Sequence, residues 1–428
     1  MSQIISHQAS RIVGEYTPPG DKSISHRLVI LGALASGKSE FSHFLEADDC
    51  LRTIEAFRSM GVQFQRSAEK IAVNGVGLKG LSSPKSELDL GNSGTTMRLL
   101  LGVLAGQPFE AHLTGDVSLS KRPMRRVTQP LRKMGARITG RDDAGFAPLV
   151  IQGGQLSGIR WMSEVPSAQV KSAILLAGLY AEGETSIEEV LLSRDHTERL
   201  LLRFGASLKR SGRTVSIQKT ERLQPTQFDV PGDISSAAFF ITAAAFLQGS
   251  DLWVRRVNLN STRTGIIEIL ESMGADISIH IQEDQDEPVG DIHVKGSSLA
   301  GVTIEKHLIP SLIDELPILM VACALAEGVS IIRGAQELRV KETDRIRSMA
   351  LGLRAIGARV EEREDGCVIE GVREFVGGTV SSVGDHRTAM SLVVAALRSK
   401  AGVVIQDTDC IGTSYPNFEA DLKQLVVS

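Results

Sequence analysis

The sequence predicts an α/β protein made of two pseudo-threefold domains, each built from three βαβαββ units. A cap of small polar residues followed by a helix rich in alanine and leucine recurs six times in the 428 residues, at a spacing of roughly 70 positions. A second, more polar helix that stops at a glycine follows most of these helices, and short β-rich segments lie between them. Three units precede about Asp229 and three follow it, so the chain divides near its middle.

The expected domains follow from the placement of these units. An N-terminal domain is expected over residues 21–230, and a C-terminal domain over residues 1–20 together with 231–428. The first twenty residues hold only strand-like pieces, which are expected to complete the C-terminal domain. The chain would then cross between the domains twice, near residues 20 and 231, and an active site would lie in the cleft between them.

Turn and capping residues mark the start of each unit's apolar helix. Helices as apolar as the one near Ala237 are expected to be buried on nearly all sides, inside a ring of sheets. The six starts are Pro19–Arg27, Gly91–Arg98, Pro166–Ser172, Gly232–Ala237, Ile313–Pro317 and Gly384–Ala389. The second helices are expected over Asp49–Gly61, Arg125–Ala136, Arg194–Ala206, Thr262–Ala275 and Glu342–Ala358. Strands are expected to include Ile71–Val73, Leu149–Ile151, Thr214–Ile217 and Val403–Ile405.

Composition limits the classes of function. The chain is 42% hydrophobic and 23% charged with a net charge of −4, so it is ordinary for a globular protein and any anion site must be local. Aromatic residues make up only 4%, which argues against stacking on nucleic acid. The longest apolar run, around Ala237–Leu247, is too short to span a bilayer, and the N-terminus lacks the pattern of a signal peptide. The four cysteines have neither metal-ligand nor redox-pair spacing, so we expect reduced thiols, no metal and a cytoplasmic location.

The segment Gly32–Ser39 matches the P-loop pattern letter for letter. A P-loop must follow a strand and precede a helix, because its N–H groups cradle phosphate at the helix start. Here the expected order is reversed: a helix ends near Ala35, Gly37 would be its C-terminal glycine, and Glu40–Phe44 would be the next strand. The context therefore rejects the motif, and a P-loop ATPase remains an alternative that predicts an essential Lys38.

Charged side chains gather at the expected helix starts. In the first start Asp21 or Ser23 can cap the helix, and Ser23 and Arg27 share one face beside Lys22. Pro123 suits the first position of another helix, and Lys341 and Arg345 would share a helical face with Glu342 beside them. Helix N-termini attract anions, so two facing domain ends would bind small molecules with several negative charges. The cations of that cleft are Lys22, Arg27, Arg122, Arg194, Lys341, Arg345 and Arg387, and Asp314 and Glu342 are the candidate acid and base.

Four segments of the chain resemble the signatures of the 5-enolpyruvylshikimate-3-phosphate synthase family. They are Gly20–Arg27, Gly91–Arg98, Arg339–Arg345 and Gly384–Arg387, which occur in the family's order. The resemblance covers nearly the whole chain and implies the enolpyruvyl transferase fold, an inside-out α/β barrel of two domains that close on substrate. It also implies transfer of the enolpyruvyl group of phosphoenolpyruvate to the 5-hydroxyl of shikimate 3-phosphate, through a tetrahedral adduct that loses phosphate, without a metal or organic cofactor.

By motif match, the resemblance assigns substrate-binding residues. Those expected to hold shikimate 3-phosphate are Lys22, Ser23, Arg27, Ser167, Ala168, Gln169 and Arg194. Those expected to hold phosphoenolpyruvate are Gly94, Arg122, Arg345 and Arg387, with Lys22 and Gln169 between the two substrates.

The same match assigns the proton transfers. Asp314 is the expected acceptor of the 5-hydroxyl proton, with Lys341 bound near it. Glu342, together with Lys22, would handle the proton at C3, and His386 lies close to these groups without an assigned role. A monomer that binds neither nucleic acid nor membrane is expected.

Three positions depart from one branch of the family. Ala168 stands where many members have a second serine, Leu99 where that branch has proline, and Thr413 where it has a phosphate-binding lysine. The first signature and Ser193–Thr197 look more like the second, often inhibitor-tolerant class. That class frequently has alanine at the position of Gly94, so the sequence leaves the response to glyphosate open.

Two further alternatives stay open. The sister family, the UDP-N-acetylglucosamine enolpyruvyl transferases, has the same fold and donor but places a reactive cysteine on a loop that here, at Gly115–Arg122, has none. A non-catalytic anion-binding protein is the other alternative, and it would need no Asp314.

Overall fold

The computed structural model describes residues 2–67, 70–284 and 286–427. It divides into an N-terminal unit, Gly20–Val230, and a C-terminal unit made of Met1–Pro19 and Pro231–Ser428. Each unit encloses its own large hydrophobic core.

The helices and strands are labelled in chain order. The strands are β1 (Gln3–Ser6), β2 (Arg11–Tyr16), β3 (Ser36–Ser42), β4 (Gln63–Arg66), β5 (Lys70–Val76), β6 (Leu88–Asp89), β7 (Glu110–Thr114), β8 (Arg137–Gly140), β9 (Phe146–Gln152), β10 (Arg160–Ser163), β11 (Thr185–Glu189), β12 (Leu208–Ser211), β13 (Thr214–Ile217), β14 (Gln227–Asp229), β15 (Asp251–Asn258), β16 (Asp276–Asp284), β17 (Pro288–Lys295), β18 (Thr303–Ile304), β19 (Val329–Ile332), β20 (Arg359–Arg363), β21 (Gly366–Glu370), β22 (Gly378–Ser381), β23 (Val403–Gln406) and β24 (Val426–Val427). The helices are α1 (Lys22–Leu34), α2 (Asp48–Ser59), α3 (Gly94–Ala105), α4 (Arg125–Met134), the single turn α5 (Arg141–Ala144), α6 (Ala168–Gly178), α7 (His196–Arg203), α8 (Ile234–Phe246), α9 (Gly265–Ser272), the single turn α10 (Ile309–Leu312), α11 (Leu316–Leu325), α12 (Arg345–Ala355), α13 (His386–Ala396) and α14 (Phe418–Leu425).

One strand order repeats through the N-terminal unit. Its sheets run β14-β3-β5-β4, β6-β7-β9-β8 and β10-β11-β13-β12. In each sheet the first pair is parallel and the other pairs are antiparallel, which is the pairing of a βαβαββ unit. In the first sheet the parallel strand is β14, from the end of the unit, and its Phe228 lies opposite Phe41.

The C-terminal unit follows the same plan with strands from both chain ends. Its sheets run β16-β17-β15-β2-β24, β18-β19-β21-β20 and β1-β23-β22. Strand β2 pairs parallel to β15, and β1 pairs antiparallel to β23. The first residues of the chain therefore supply strands to two sheets of this unit.

The first helix of each βαβαββ unit lies in the core, which confirms the expectation of buried apolar helices. These helices are α1, α3 and α6 in the N-terminal unit and α8, α11 and α13 in the C-terminal unit. All thirteen residues of α8 are buried, as a helix that is apolar on every side requires.

Capping side chains set the starts of five of these six helices, as predicted; the sixth, α11, begins without a side-chain cap. Side chains of Asp21, Ser93, Ser167, Asp233 and Asp385 accept hydrogen bonds from backbone N–H groups in the first turns of α1, α3, α6, α8 and α13.

The second helices stop at glycines, also as predicted. Gly61, Gly135, Gly205, Gly274 and Gly357 follow them with φ between 82° and 118°, a backbone conformation that side chains with a Cβ rarely adopt.

Four local expectations are wrong. Helix α1 ends at Leu34, and Gly37 lies inside β3 instead of ending the helix. Helix α4 begins at Arg125, so Pro123 precedes the helix and is not its first residue. Helix α7 begins at His196, not at Arg194. Asp344 caps α12, whose first residue is Arg345, so Glu342 and Lys341 lie in the preceding turn and not on the helix.

Candidate active site

The N-terminus of α1 places Lys22 beside Asp49, the second residue of α2. Lys22 Nζ lies 3.0 Å from Asp49 Oδ2, and about one sixth of each side chain is exposed. Asp21 caps the helix through Ile24 N at 2.9 Å, so its carboxylate is already engaged. A half-buried ammonium therefore lies at the N-terminus of a helix, which suits an anion.

Arg27 is held in position from three sides. Its Nε donates to Thr197 Oγ1 at 2.6 Å, its Nη1 to Ser23 O at 2.8 Å and its Nη2 to Ser172 Oγ at 2.9 Å. The residue is buried. These bonds join α1, α6 and α7, so the guanidinium is fixed before any ligand arrives.

Gly94 is the first residue of α3 and lies close to the guanidinium groups of two arginines. A Cβ atom at this position would lie 3.0 Å from Arg122 Nη1 and 3.2 Å from Arg98 Nη1. Arg122 donates to Asn92 Oδ1, and Arg98 Nη2 donates to Pro123 O at 3.2 Å. Glycine therefore keeps the guanidinium groups close to the helix end, where they add positive charge to the N-terminus of the helix.

Gln169 connects the start of α6 to that of α3. Its Oε1 accepts from Arg98 Nη1 at 2.5 Å, and its Nε2 donates to Thr95 Oγ1 at 2.9 Å. Ser167 caps α6 through Val170 N, and Ala168 is the first helical residue. Hydrogen bonds therefore join the start of α6 to the first turns of α3.

Arg194 lies half-buried, two residues before α7 begins. Beneath this segment the fully buried Lys171 Nζ lies 2.8 Å from Glu189 Oε2 and 2.7 Å from Glu198 Oε1. Burial raises the pKa of Glu198, while attraction to Lys171 opposes the rise. This buried ion cluster supports the loop that carries Arg194.

In the C-terminal unit a buried arginine organises the charged residues. Arg345 Nε lies 2.8 Å from Asp385 Oδ2, its Nη1 lies 3.2 Å from Asp314 Oδ1, and its Nη2 lies 2.5 Å from Glu342 Oε2. Burial alone would lower the pKa of Arg345, but the three carboxylates raise it above its usual value. The guanidinium is therefore a permanent cation that fixes three carboxylates.

Asp314 is surrounded by positive charge. Besides Arg345, its Oδ1 lies 3.8 Å from Arg387 Nε and 3.9 Å from Lys341 Nζ, and its backbone carbonyl accepts from Arg387 Nη1 at 2.9 Å. Only 16% of its side chain is exposed. Surrounding cations favour an ionised carboxylate, which is the form that can accept a proton.

The other predicted residues of this unit lie near the same helix ends. His386 is the first residue of α13, immediately after its cap Asp385, and is buried. Thr413 ends a 3-10 turn over Thr408–Thr413, and its hydroxyl donates to Cys410 O at 2.7 Å.

The structure brings the predicted residues together in two groups, one in each unit. The N-terminal group contains Lys22, Ser23, Arg27, Gly94, Arg122, Ser167, Ala168, Gln169 and Arg194, and the C-terminal group contains Asp314, Lys341, Glu342, Arg345, His386 and Arg387. Both groups sit at N-termini of the inner helices or in the turns that precede the second helices. Such a surface can bind phosphate and carboxylate groups and holds carboxylates able to move protons.

Sequence reasoning missed several residues that hold these groups. Asn92 and Arg98 stand inside a quoted signature, and an arginine four residues after Gly94 on the same helix face could have been noticed. Asp49 was missed, and Asp385 stands inside a quoted signature without its partner being foreseen. Both pair, with Lys22 and Arg345 respectively, only through tertiary contacts, for which the sequence gives no signal.

Within the described ranges, no helix has the length and apolar character needed to cross a bilayer. Over the same residues, no cluster of three or more histidine, cysteine, aspartate or glutamate side chains has a geometry that could hold a metal ion.

The chain is similar to known proteins along nearly its whole length. A family model described as "EPSP synthase (3-phosphoshikimate 1-carboxyvinyltransferase)" matches residues 6–422. A 3-phosphoshikimate 1-carboxyvinyltransferase of Methylococcus capsulatus is 54% identical over 411 residues, covering 95% of this chain and 94% of that protein. One of Geobacillus kaustophilus is 51% identical over 420 residues, covering 97% and 98%.

Solved structures give the same result. An EPSP synthase from Acinetobacter baumannii is 45% identical, with a TM-score of 0.88 over 100% of this chain and 99% of that one. The enolpyruvyl transferase NikO from Streptomyces tendae superposes with a TM-score of 0.80 over 99% and 97% at 18% identity, which shows a common fold.

Proposed function

This chain belongs to the EPSP synthase family, and from that premise we propose that its two charged groups together form one active site for shikimate 3-phosphate and phosphoenolpyruvate. The reaction is the family's: the 5-hydroxyl of the shikimate ester adds to C2 of phosphoenolpyruvate, and the adduct then loses phosphate. The observation that carries the assignment of residues is Asp314, a carboxylate held among Arg345, Arg387 and Lys341.

The N-terminal group is proposed to bind shikimate 3-phosphate. Arg27 is already fixed by Ser23, Ser172 and Thr197, so it offers a guanidinium to the 3-phosphate at little further entropic cost. Ser167, Ala168 and Gln169 begin α6 beside it, and Arg194 lies on the neighbouring loop; together with Lys22 they would line the ring and its phosphate.

Phosphoenolpyruvate is proposed to bind between the start of α3 and the C-terminal group. The N–H of Gly94 and the guanidinium of Arg122 would hold one anionic end, and Arg345 and Arg387 the other. Lys22, which begins α1 beside these groups, would lie between the two substrates.

The carboxylates divide the proton transfers. Asp314 takes the proton of the 5-hydroxyl while oxygen attacks C2, because its carboxylate can act as a general base. Glu342, with Lys22, delivers the proton to C3 and removes it again when phosphate leaves. His386 lies beside Asp385 and is placed near the site without a chemical role. The chain's own side chains suffice for this scheme, so no cofactor is invoked.

Assembly of one site requires the two groups to face each other across a cleft between the domains, residues 21–230 and residues 1–20 with 231–428. Two crossovers near residues 20 and 231 would act as hinges, and ligand charge would offset the repulsion among the cations. We expect small-angle scattering to show a smaller radius of gyration after both substrates are added; an unchanged radius would contradict closure. The proposal takes the protein as a cytoplasmic monomer that binds neither nucleic acid nor membrane.

One assay tests the central assignment. Phosphate release from phosphoenolpyruvate is measured with shikimate 3-phosphate, without it, and with UDP-N-acetylglucosamine in its place. We expect release only with shikimate 3-phosphate. Release that ignores the shikimate ester, or that needs the nucleotide sugar, would overturn the assignment.

A further inference from the structure

Four buried side chains form a continuous hydrogen-bonded chain among helices α1, α2 and α3. His26 Nδ1 lies 2.7 Å from Thr53 Oγ1, Thr53 Oγ1 lies 2.8 Å from Thr96 Oγ1, and Thr96 Oγ1 lies 2.7 Å from Ser93 Oγ. All four residues are completely buried. Such a chain is rare in an apolar core, because every unmatched polar atom there carries a desolvation cost.

One arrangement of protons satisfies every hydroxyl in this chain. Ser93 Oγ accepts from Thr96 N at 3.2 Å, so its own proton is available to Thr96. Thr96 then donates to Thr53, and Thr53 donates to His26 Nδ1. Thr53 Oγ1 also lies 3.5 Å from Asp49 O, so it can donate there and accept from His26 Nδ1 instead. His26 Nε2 has no hydrogen-bond partner among the described residues, so the ring joins the chain through Nδ1 alone, as acceptor or as donor.

The environment of His26 agrees with a neutral ring. Burial lowers the pKa of His26 well below its usual value, and the charges of Lys22 and Arg27 lower it further. The ring therefore stays uncharged at neutral pH.

The two ends of the chain reach the two proposed subsites. His26 stands next to Arg27 on α1, which carries the groups assigned to the shikimate ester. Ser93 is the cap of α3 and stands next to Gly94, which is assigned to phosphoenolpyruvate. The α1 end is independently anchored, because Asp21 caps α1 and Arg27 bonds to Thr197 and Ser172. The α3 end depends on the chain, since Thr96 and Ser93 form the turn that presents Gly94.

We propose that His26, Thr53 and Thr96 are positioning residues. They hold the N-terminus of α3 in a fixed position relative to α1, and thereby determine the geometry of the phosphoenolpyruvate subsite. They touch neither substrate in this scheme and act through Ser93 and Gly94. The inference rests on the proposed function, from which it takes the assignment of the two subsites.

Thr53→Val tests the inference, because valine keeps the shape of threonine and removes the hydroxyl. We expect the KM for phosphoenolpyruvate to rise about tenfold, because the hydroxyl that links His26 to Thr96 is lost, while the KM for shikimate 3-phosphate changes less than twofold. Thr53→Ser restores the hydroxyl and should return the phosphoenolpyruvate KM to within about twofold of wild type.

Thr242→Val is the matched control. Thr242 is completely buried in α8, and its hydroxyl has no hydrogen-bond partner within the described residues. This variant should keep both KM values. If Thr53→Val does not yield folded protein, His26→Asn and His26→Leu carry the same comparison, because only asparagine offers an acceptor where Nδ1 lies.

Two results would overturn the inference. One is that Thr53→Val raises both KM values equally or neither, and the other is that Thr53→Ser fails to rescue the phosphoenolpyruvate KM. In either case the wild-type protein would still convert the two substrates, so the proposed function would stand. A failure of the proposed function would instead appear as wild-type protein that does not turn them over.

Discussion

The guanidinium of Arg345 lies 2.8 Å from the carboxylate of Asp385, and neither side chain is more than 1% exposed. Asp385 also caps α13 by accepting from Arg387 N at 2.8 Å. The pair therefore joins two helix starts of the C-terminal unit and orients the remaining guanidinium nitrogens toward Asp314 and Glu342.

Arg345→Lys should separate charge from geometry at this pair. A single ammonium cannot reach three carboxylates, so we expect kcat/KM to fall by about 100-fold and the free energy of unfolding to fall by about 3 kcal/mol. Steady-state kinetics and urea unfolding measure the two effects. Arg347→Lys, an exposed change two residues along the same helix, should alter neither. Equal effects of the two changes would show that the guanidinium geometry of Arg345 contributes neither to activity nor to stability.

Asp314→Asn should lower kcat by about 10²- to 10⁴-fold, because the amide cannot accept the proton of the 5-hydroxyl. Its size is unchanged, so both KM values should stay within a few-fold. Asp276→Asn, at an exposed strand position, serves as the control. Unchanged turnover in Asp314→Asn would mean that another group is the base or that the protein is a non-catalytic anion binder.

Arg27→Ala should raise the KM for shikimate 3-phosphate by about 10- to 100-fold and the KM for phosphoenolpyruvate much less, since a charge-assisted phosphate contact is lost. Arg122→Ala should give the opposite pattern, because Arg122 lies against Gly94 at the start of α3. Both pairs of KM values come from varying one substrate at saturating levels of the other. The reverse outcome would show that the two subsites are exchanged.

Glu198 should give the protein a pH-dependent stability. Burial raises the pKa of Glu198 above 4.5, so the folded state holds this proton more tightly than the unfolded state. The stabilisation is complete below the unfolded value and is lost as pH rises through the folded value. The melting temperature of wild type should therefore fall relative to Glu198→Gln as pH rises from 4.5, while the exposed change Glu164→Gln should show no such trend. A constant difference between wild type and Glu198→Gln would contradict the raised pKa.

Lys38→Ala should leave activity unchanged within about twofold, because an exposed ion pair contributes little. Lys38 lies on β3, half-exposed, with Nζ 2.7 Å from Glu40 Oε1. It follows a helix and does not precede one, so the P-loop match has no structural basis. Loss of turnover in Lys38→Ala would revive the ATPase alternative.

Much of the fold could be predicted because its signals are local. Ser93 and Asp385 cap their helices with their own side chains, and Gly135 stops α4 through its own backbone conformation. The parallel partner of β3 could not be predicted in this way. That partner, β14, lies at the far end of the unit in sequence and is only three residues long.

The candidate site shows the same division. The signatures identified Lys22, Gly94 and Arg345, whereas the turn around Lys341 was predicted as helix because its charges follow a helical spacing. In the structure Asp344 accepts a hydrogen bond from Arg347 N, so the helix starts one residue after Asp344 and Lys341 stays in the turn. The start of α12 is therefore determined by the capping residue Asp344, and not by the spacing of the charged residues before it.

The pairing of distant strands also sets an order of events during synthesis. The N-terminal unit can close its first sheet once β14 has left the ribosome, when Ser42 Oγ can reach Asp229 Oδ1 across 187 positions. Strand β1 is made first, yet its partner β23 is among the last strands to be made, and Asp409 N reaches Ser2 Oγ across 407 positions. The partners of β1 and β24 meet only when nearly the whole chain has been made, so we expect the C-terminal unit to finish folding after translation.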